Sequence, residues 1–197
     1  MKINLKNTPI YWINLEKDLK KKKFQEEQFL KYELDKNYRI DAIEVFNHSH
    51  NLNCKEYLSY LISLYKIRNR LPALILEDDV VIIKENFKYA LNVPKDIDAL
   101  YLGHSIWGLG KQKNGDYPNL YEDHPYVRPG ISPSNSLGAT VFTKYNKYLS
   151  RTHNMLATHA ILYVSKKYVE SLIKTLEKYI FKKCSLDMIT AVIQNNF

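Results

Sequence analysis

Apolar residues along this chain gather in short β-prone runs, separated by longer segments with helical spacing. Ile10-Tyr11-Trp12-Ile13-Asn14-Leu15 is the first run and reads as a buried strand. The charged segment over residues 16–34 favours helix by composition, although its apolar positions form no clean stripe. Residues 39–43 predict a second short strand. Asn53 with Glu56 three residues later has the spacing of a capping box. Behind it Tyr57, Leu58, Leu61, Leu64 and Tyr65 predict a helix to about Asn69, and Pro72 stops it. Ala73-Leu74-Ile75-Leu76 is apolar at every position, the pattern of a central parallel strand covered on both faces. Residues 98–102 and 160–164 predict further strands. Ser165 can cap a helix whose apolar face is Val169, Leu172, Ile173, Leu176 and Ile180. A last short helix is predicted from about Ser185. Strands alternating with helices, without an internal repeat, predict an α/β fold: a mostly parallel central sheet flanked by helices.

The middle of the chain breaks this rhythm. All six glycines fall between Gly103 and Gly138, together with Pro118, Pro125, Pro129 and Pro133. Such a stretch predicts a long loop region over about residues 103–138. A loop of that length in a compact domain is either a binding loop or lid, or a surface excursion without function. The 197 residues, 45% of them hydrophobic, suffice for one substantial core, so a single domain is expected.

Charge narrows the partners without choosing among them. The formal charge of +8 favours anionic ligands: nucleotide sugars, nucleic acid or anionic lipid surfaces. Sixteen tyrosines in a basic chain suit a stacking surface for single-stranded nucleic acid. Many of them, however, fall at apolar helical positions where core packing explains them, so nucleic acid is not expected as a partner. The run Lys20-Lys21-Lys22-Lys23 reads first as a solvated face; the alternative is peripheral contact with an anionic membrane. No apolar segment reaches the roughly 20 residues of a membrane span, and Cys54 and Cys184 lack a paired motif. A cytoplasmic protein with reduced thiols is expected.

The residues that carry chemistry are Glu77-Asp78-Asp79, directly after the apolar run. Open parallel sheets bind ligands at the carboxyl ends of their strands. Alternation along the strand sends Glu77 and Asp79 to one side and Asp78 to the other. Two carboxylates on one side are costly together unless a cation offsets them. Hard oxygen ligands suit Mg²⁺ or Mn²⁺, with positions left for phosphate oxygens. The bland alternative is a solvated acidic turn, and the triplet fits a phosphohydrolase or nucleotidyltransferase as well. His159 opens a predicted strand, where it is either structural or within reach of a diphosphate or metal. Asp187 belongs to the first turn of the last helix, where the dipole alone explains a carboxylate; the same setting would hold an ionised catalytic base.

Beyond the residues themselves, Leu74-Ile75-Leu76-Glu77-Asp78-Asp79-Val80 resembles the signature of glycosyltransferase family 25. Residues 11–17, 38–43, 98–103, 158–160 and 185–187 resemble further family segments in the same order, so the likeness spans residues 10–190. Tyr60 stands where the family usually has histidine, and lysines stand where it often has arginines near the donor. The resemblance implies a glycosyltransferase A-type fold with a divalent cation, Mn²⁺ or Mg²⁺, and a nucleotide-diphosphate sugar as donor, a uridine diphosphate sugar first. It implies an inverting transfer to a glycan or glycolipid hydroxyl. Asp79 and Glu77 would then ligate the metal, and Glu77 or Asp78 would help through a water or a ribose hydroxyl. Asn14 and Leu15 would line the nucleotide pocket, Asp187 and His159 would be catalytic, and Trp107 would stack on sugar. The rival classes are a metal-dependent phosphotransferase or nucleotidyltransferase, and a non-catalytic carbohydrate-binding relic of the same fold.

Overall fold

The computed structural model describes residues 1–43, 52–83, 89–103, 141–153, 155–179 and 186–194. It forms two compact units, Met1–Leu102 with His159–Lys183, and Gly103–Thr158 with Cys184–Phe197.

The first unit is built on a five-stranded mixed sheet. Numbered in chain order, β1 (Lys2–Asn4) precedes β2 (Ile10–Asn14), α1 (Leu19–Lys31), β3 (Asn37–Asp41), α2 (Leu52–Ile67) and β4 (Ala73–Glu77). After β5 (Ala90–Asn92) and β6 (Ala99–Tyr101), the chain returns to this unit as β9 (Ala160–Tyr163) and α3 (Lys166–Tyr179). The sheet order is β3-β2-β4-β9-β6. The β2–β3 and β2–β4 pairs are parallel, whereas β9 runs antiparallel to both β4 and β6. The expectation of a mostly parallel sheet therefore needs correcting to a mixed one: four strands share a direction, and β9 is inserted against them. An apolar run such as Ala160-Ile161-Leu162-Tyr163 is fully buried in either direction, so its pattern carries no polarity.

Burial follows the alternation of the strands. Ile10, Trp12, Leu74, Leu76, Ala160 and Leu162 form one face, packed with Phe29 of α1 into a continuous core; the Trp12 and Phe29 rings lie 5.7 Å apart. On the other face α2 packs on β2 and β3 and against α3. Leu64, Ile67, Val169, Leu172 and Leu176 are buried there. Ser165 caps α3 as expected, its Oγ accepting from the Tyr168 amide at 3.2 Å. By contrast α2 already includes Leu52, so Asn53 lies inside the helix and is not its cap. The short strands β1 and β5, absent from the apolar pattern, pair antiparallel as a separate ribbon. Among the described residues no helix is long and apolar enough to cross a membrane.

The untidy spacing in α1 has a physical cause. Gln25 and Gln28 are buried on its inner face, and both donate to the Val80 carbonyl, at 2.7 and 2.9 Å. The Gln28 carbonyl accepts from the Ile82 amide at 2.7 Å. These amides satisfy the backbone of the irregular segment that follows β4, where no strand partner is available.

In the second unit, β7 (Val141–Lys144) and β8 (Ser150–His153) form an antiparallel hairpin, with α4 (Leu186–Gln194) in contact with β8. Gln194 closes two bonds with the Met155 backbone, at 2.8 and 3.1 Å. Residues 104–140, which hold the predicted glycine- and proline-containing loop and Trp107, lie outside the described residues, as do Ile180 and Cys184.

Gln28→Leu supplies an apolar side chain of similar size at a buried position, yet it leaves the Ile82 amide without its acceptor. We expect it to destabilise the protein by about 1–3 kcal/mol, measured by urea denaturation. A neutral or stabilising effect would show that water replaces the amide.

Candidate metal centre at the end of the central strand

Glu77 is the last residue of β4 and pairs with Ile13 of β2. On its other side the ladder from β9 continues one step past Leu76↔Ala160, and the Glu77 amide donates to the His159 carbonyl at 2.9 Å. Because β9 is antiparallel, its first residues stand beside the carboxyl end of β4. The His159 Nδ1 lies 2.7 Å from the Glu77 Oε2. Asp79 completes a group in which one ligand atom from each of Glu77, Asp79 and His159 lies within 4.8 Å of the others. Glu77 is partly buried, and Asp79 and His159 are exposed.

Asp78 lies in the turn that follows β4, where the Val80 amide donates to the Glu77 carbonyl at 3.4 Å, and its side chain points elsewhere. Its Oδ2 accepts from Asn14 Nδ2 at 2.9 Å and its Oδ1 from Lys21 Nζ at 2.8 Å. Its side chain is 15% exposed against 62% for Asp79, so both of its oxygens serve the protein. Asn14, the last residue of β2, is buried. Its Nδ2 also reaches the Asp18 carbonyl at 3.4 Å, and its buried Oδ1 has no hydrogen-bond partner among the described residues. Leu15 begins the turn into α1, its carbonyl accepting from the Asp18 amide at 3.0 Å.

Lys21 is the residue that sequence reasoning missed. Within the run 20–23 it looked like part of a solvated face, and its neighbours behave so: Lys22 and Lys23 face Glu26 and Glu27 one turn on, at 4.0 and 3.9 Å. The Asp18 side chain caps α1 by accepting from the Lys21 amide at 3.2 Å. A short β2–α1 connection puts this first helical turn beside the carboxyl edge of the sheet. A lysine in a first turn opposes the helix dipole, and here the acidic triplet offsets that cost. Its Nζ also lies 4.0 Å from Asp79. The hydrogen bond to Asp78, with the charges of Asp78, Asp79 and Asp18, holds the Lys21 ammonium above its ordinary range. The unpatterned signal was the short connection between strand and helix.

In the same unit Tyr60 of α2 and Tyr163 of β9 are buried and joined hydroxyl to hydroxyl at 2.5 Å. Burial pushes both phenols well above their ordinary range, with nearby Tyr101 adding to each and Glu77 to Tyr60. They stay neutral and add no charge to the cluster.

Asp187 belongs to the second unit. It lies in the first turn of α4, and its Oδ1 accepts from the Thr158 hydroxyl at 3.1 Å. Its backbone carbonyl accepts from the Thr190 hydroxyl at 2.9 Å.

The donor set suits a divalent cation. Among the described residues three successive carboxylates meet one lysine, which leaves an excess of negative charge. Two carboxylates with one imidazole fit Mn²⁺ better than the all-oxygen preference of Mg²⁺. Comparison with known protein families, with curated proteins and with solved structures finds no match for this chain.

Lys21→Met removes the one cation tied to Asp78 among the described residues. Since its pair is part-exposed, the expected loss of stability is no more than about 1 kcal/mol. Lys21 has a raised pKa in the fold, so its contribution is complete below the ordinary lysine range and is lost as pH rises through the folded value. Denaturation curves of variant and wild type should differ from neutral pH to about pH 10 and converge above it. A difference that persists into strong alkali would assign the effect to the lysine stem rather than its charge.

Proposed function

We propose that this protein is a divalent-cation-dependent glycosyltransferase of the A type, moving a sugar from a uridine diphosphate donor to a hydroxyl of a glycan or glycolipid, with inversion. The observation that carries this reading is the grouping of Glu77, Asp79 and His159 at the carboxyl end of the central strand. Its support is the likeness of residues 74–80 to the family 25 signature, together with the ligand-binding habit of strand ends in α/β sheets.

In this reading Asp79, Glu77 and His159 hold the cation. Held there, a divalent cation supplies positive charge against the diphosphate as the sugar departs. His159 Nδ1 and Glu77 Oε2 lie 2.7 Å apart, close enough for both atoms to ligate one cation, which would replace the hydrogen bond between them. Lys21 and Asn14 engage both oxygens of Asp78. That keeps Asp78 from competing as a ligand and braces the turn that carries Asp79. Asp78 is therefore a positioning residue here, and Asn14 and Leu15 shape the nucleotide side at the end of β2. Asp187 is retained as the base that takes the acceptor proton.

A uridine diphosphate sugar should raise the melting temperature in Mn²⁺ and much less in chelator, since a ligand that binds only the native state stabilises it by mass action. At a donor concentration of 100 times Kd the gain is about 2.7 kcal/mol. Asp79→Asn should keep the fold and lose the Mn²⁺-dependent part of this shift along with sugar transfer. Equal shifts with and without chelator would remove the metal from the reading. Release of phosphate or of a nucleotidyl product, without sugar transfer, would move the protein to the phosphotransferase class.

Asp187→Asn separates two roles in one variant. Loss of a general base slows transfer by roughly 10²–10⁴-fold, whereas loss of a first-turn carboxylate costs only about 0.3–1 kcal/mol of stability. Transfer within a few-fold of wild type, at saturating donor and acceptor, would leave Asp187 as a structural residue.

A further inference from the structure

The opposite end of the same sheet carries a second feature that the transfer reaction does not use. A groove of about 630 Å³ opens at the amino ends of β2, β3 and β4. That volume lies within the range of sites for small organic ligands. Its walls include Lys2, Lys36 and Arg70, and none of the described residues lining it is acidic. With Glu77, Asp78 and Asp79 at the other end of β4, this is a separate site whose walls carry cations.

The floor of the groove is aromatic. Tyr11 and Tyr38 are direct partners in the parallel β2–β3 register, and their rings stack at 5.2 Å with 28° between planes. Tyr11 is buried, while Tyr38, on the edge strand, is 46% exposed. The buried ring fixes the exposed one from below, so Tyr38 is a held platform rather than a loose side chain. Arg70 Nη1 donates to the Tyr11 hydroxyl at 3.4 Å. Lys36 Nζ donates to the Asn7 carbonyl at 3.3 Å. Each bond uses one of several N–H groups on its cation, leaving others for an anion; a guanidinium in particular can grip phosphate with two parallel bonds.

A fixed ring beside three cations selects a ligand that combines a flat ring with phosphate. We propose that this groove binds a nucleoside phosphate, with the base or sugar on Tyr38 and the phosphate between Arg70, Lys36 and Lys2. About 16 Å of strand separates Pro72 from Glu77, so a mononucleotide in the groove does not reach the carboxylate cluster. The inference stands independently of the proposed sugar transfer.

The test uses the full chain in chelator, which silences a metal-linked donor site. Adenosine monophosphate, adenosine and inorganic phosphate are titrated separately by calorimetry. Adenosine monophosphate should bind at one site, with adenosine and phosphate each at least about tenfold weaker. Tyr38→Ala should weaken it by about five- to a hundredfold, and Arg70→Gln with Lys36→Gln by about tenfold or more. All of these side chains are exposed, and circular dichroism melts check that the variants stay folded. Asp79→Asn should bind the nucleotide as wild type does. No binding up to about 10 mM would overturn the proposal. So would phosphate binding as tightly as the nucleotide, or nucleotide binding that survives the groove substitutions and is lost in Asp79→Asn.

Discussion

The pairing of β9 against β4 underlies the rest of the first unit. Leu76 faces Ala160 across this ladder and the next step brings Glu77 to His159, joined through the backbone at 2.9 Å and through the side chains at 2.7 Å. Had β9 run parallel to β4, its first residues would have stood at the amino end of the sheet, more than 10 Å from Glu77 at strand rise. The direction of one buried strand thus decides whether an imidazole joins the carboxylates. The same strand pairs with β6 and carries Tyr163 to Tyr60, so it also ties the sheet edge and α2 into the core.

Crowded negative charge is the second constraint. Three consecutive carboxylates at the end of a buried strand need compensation, and the turn over Asp78 and Asp79 distributes it. Asp78 turns inward to Asn14 and Lys21, whereas Glu77 and Asp79 turn to His159. The inward partners come from β2 and the first turn of α1. Further along α1, Gln25 and Gln28 hold the backbone just after the triplet, at Val80 and Ile82. One helix therefore supplies both the counter-charge and the clamp for the turn that presents Asp79. The polar interruptions of its apolar stripe are the cost of that task.

Charge is also segregated along the strands. The carboxyl ends of β2 and β4 gather the acidic triplet, and their amino ends gather Lys36, Arg70 and the stacked tyrosines without an acidic neighbour in the groove wall. The two ends are held apart by a core that is apolar at every position of Ala73–Leu76. Ligands at the two ends would therefore meet different chemistry: carboxylates with an imidazole at one, a cationic cleft with a ring platform at the other.

The apolar runs at 10–14, 73–76 and 160–163, and the helical stripe of α3 with its Ser165 cap, were legible because burial and capping leave local marks. Glu77 and Asp79 do group apart from Asp78, but a turn after Glu77, not alternation along a strand, produces that arrangement. Boundaries were less legible: α2 includes Asn53, and β3 begins before Arg39, because local preferences for caps and for strands are weak beside packing. The ribbon of β1 with β5 left no mark, since each strand is only three residues long. Lys21 was hidden among identical neighbours, and only the short turn from β2 into the Asp18-capped helix singles it out. His159 was visible as a candidate, but its partner was not. A fully apolar strand reads the same in both directions, and the sign of β9 was settled only by how it packs between β4 and β6.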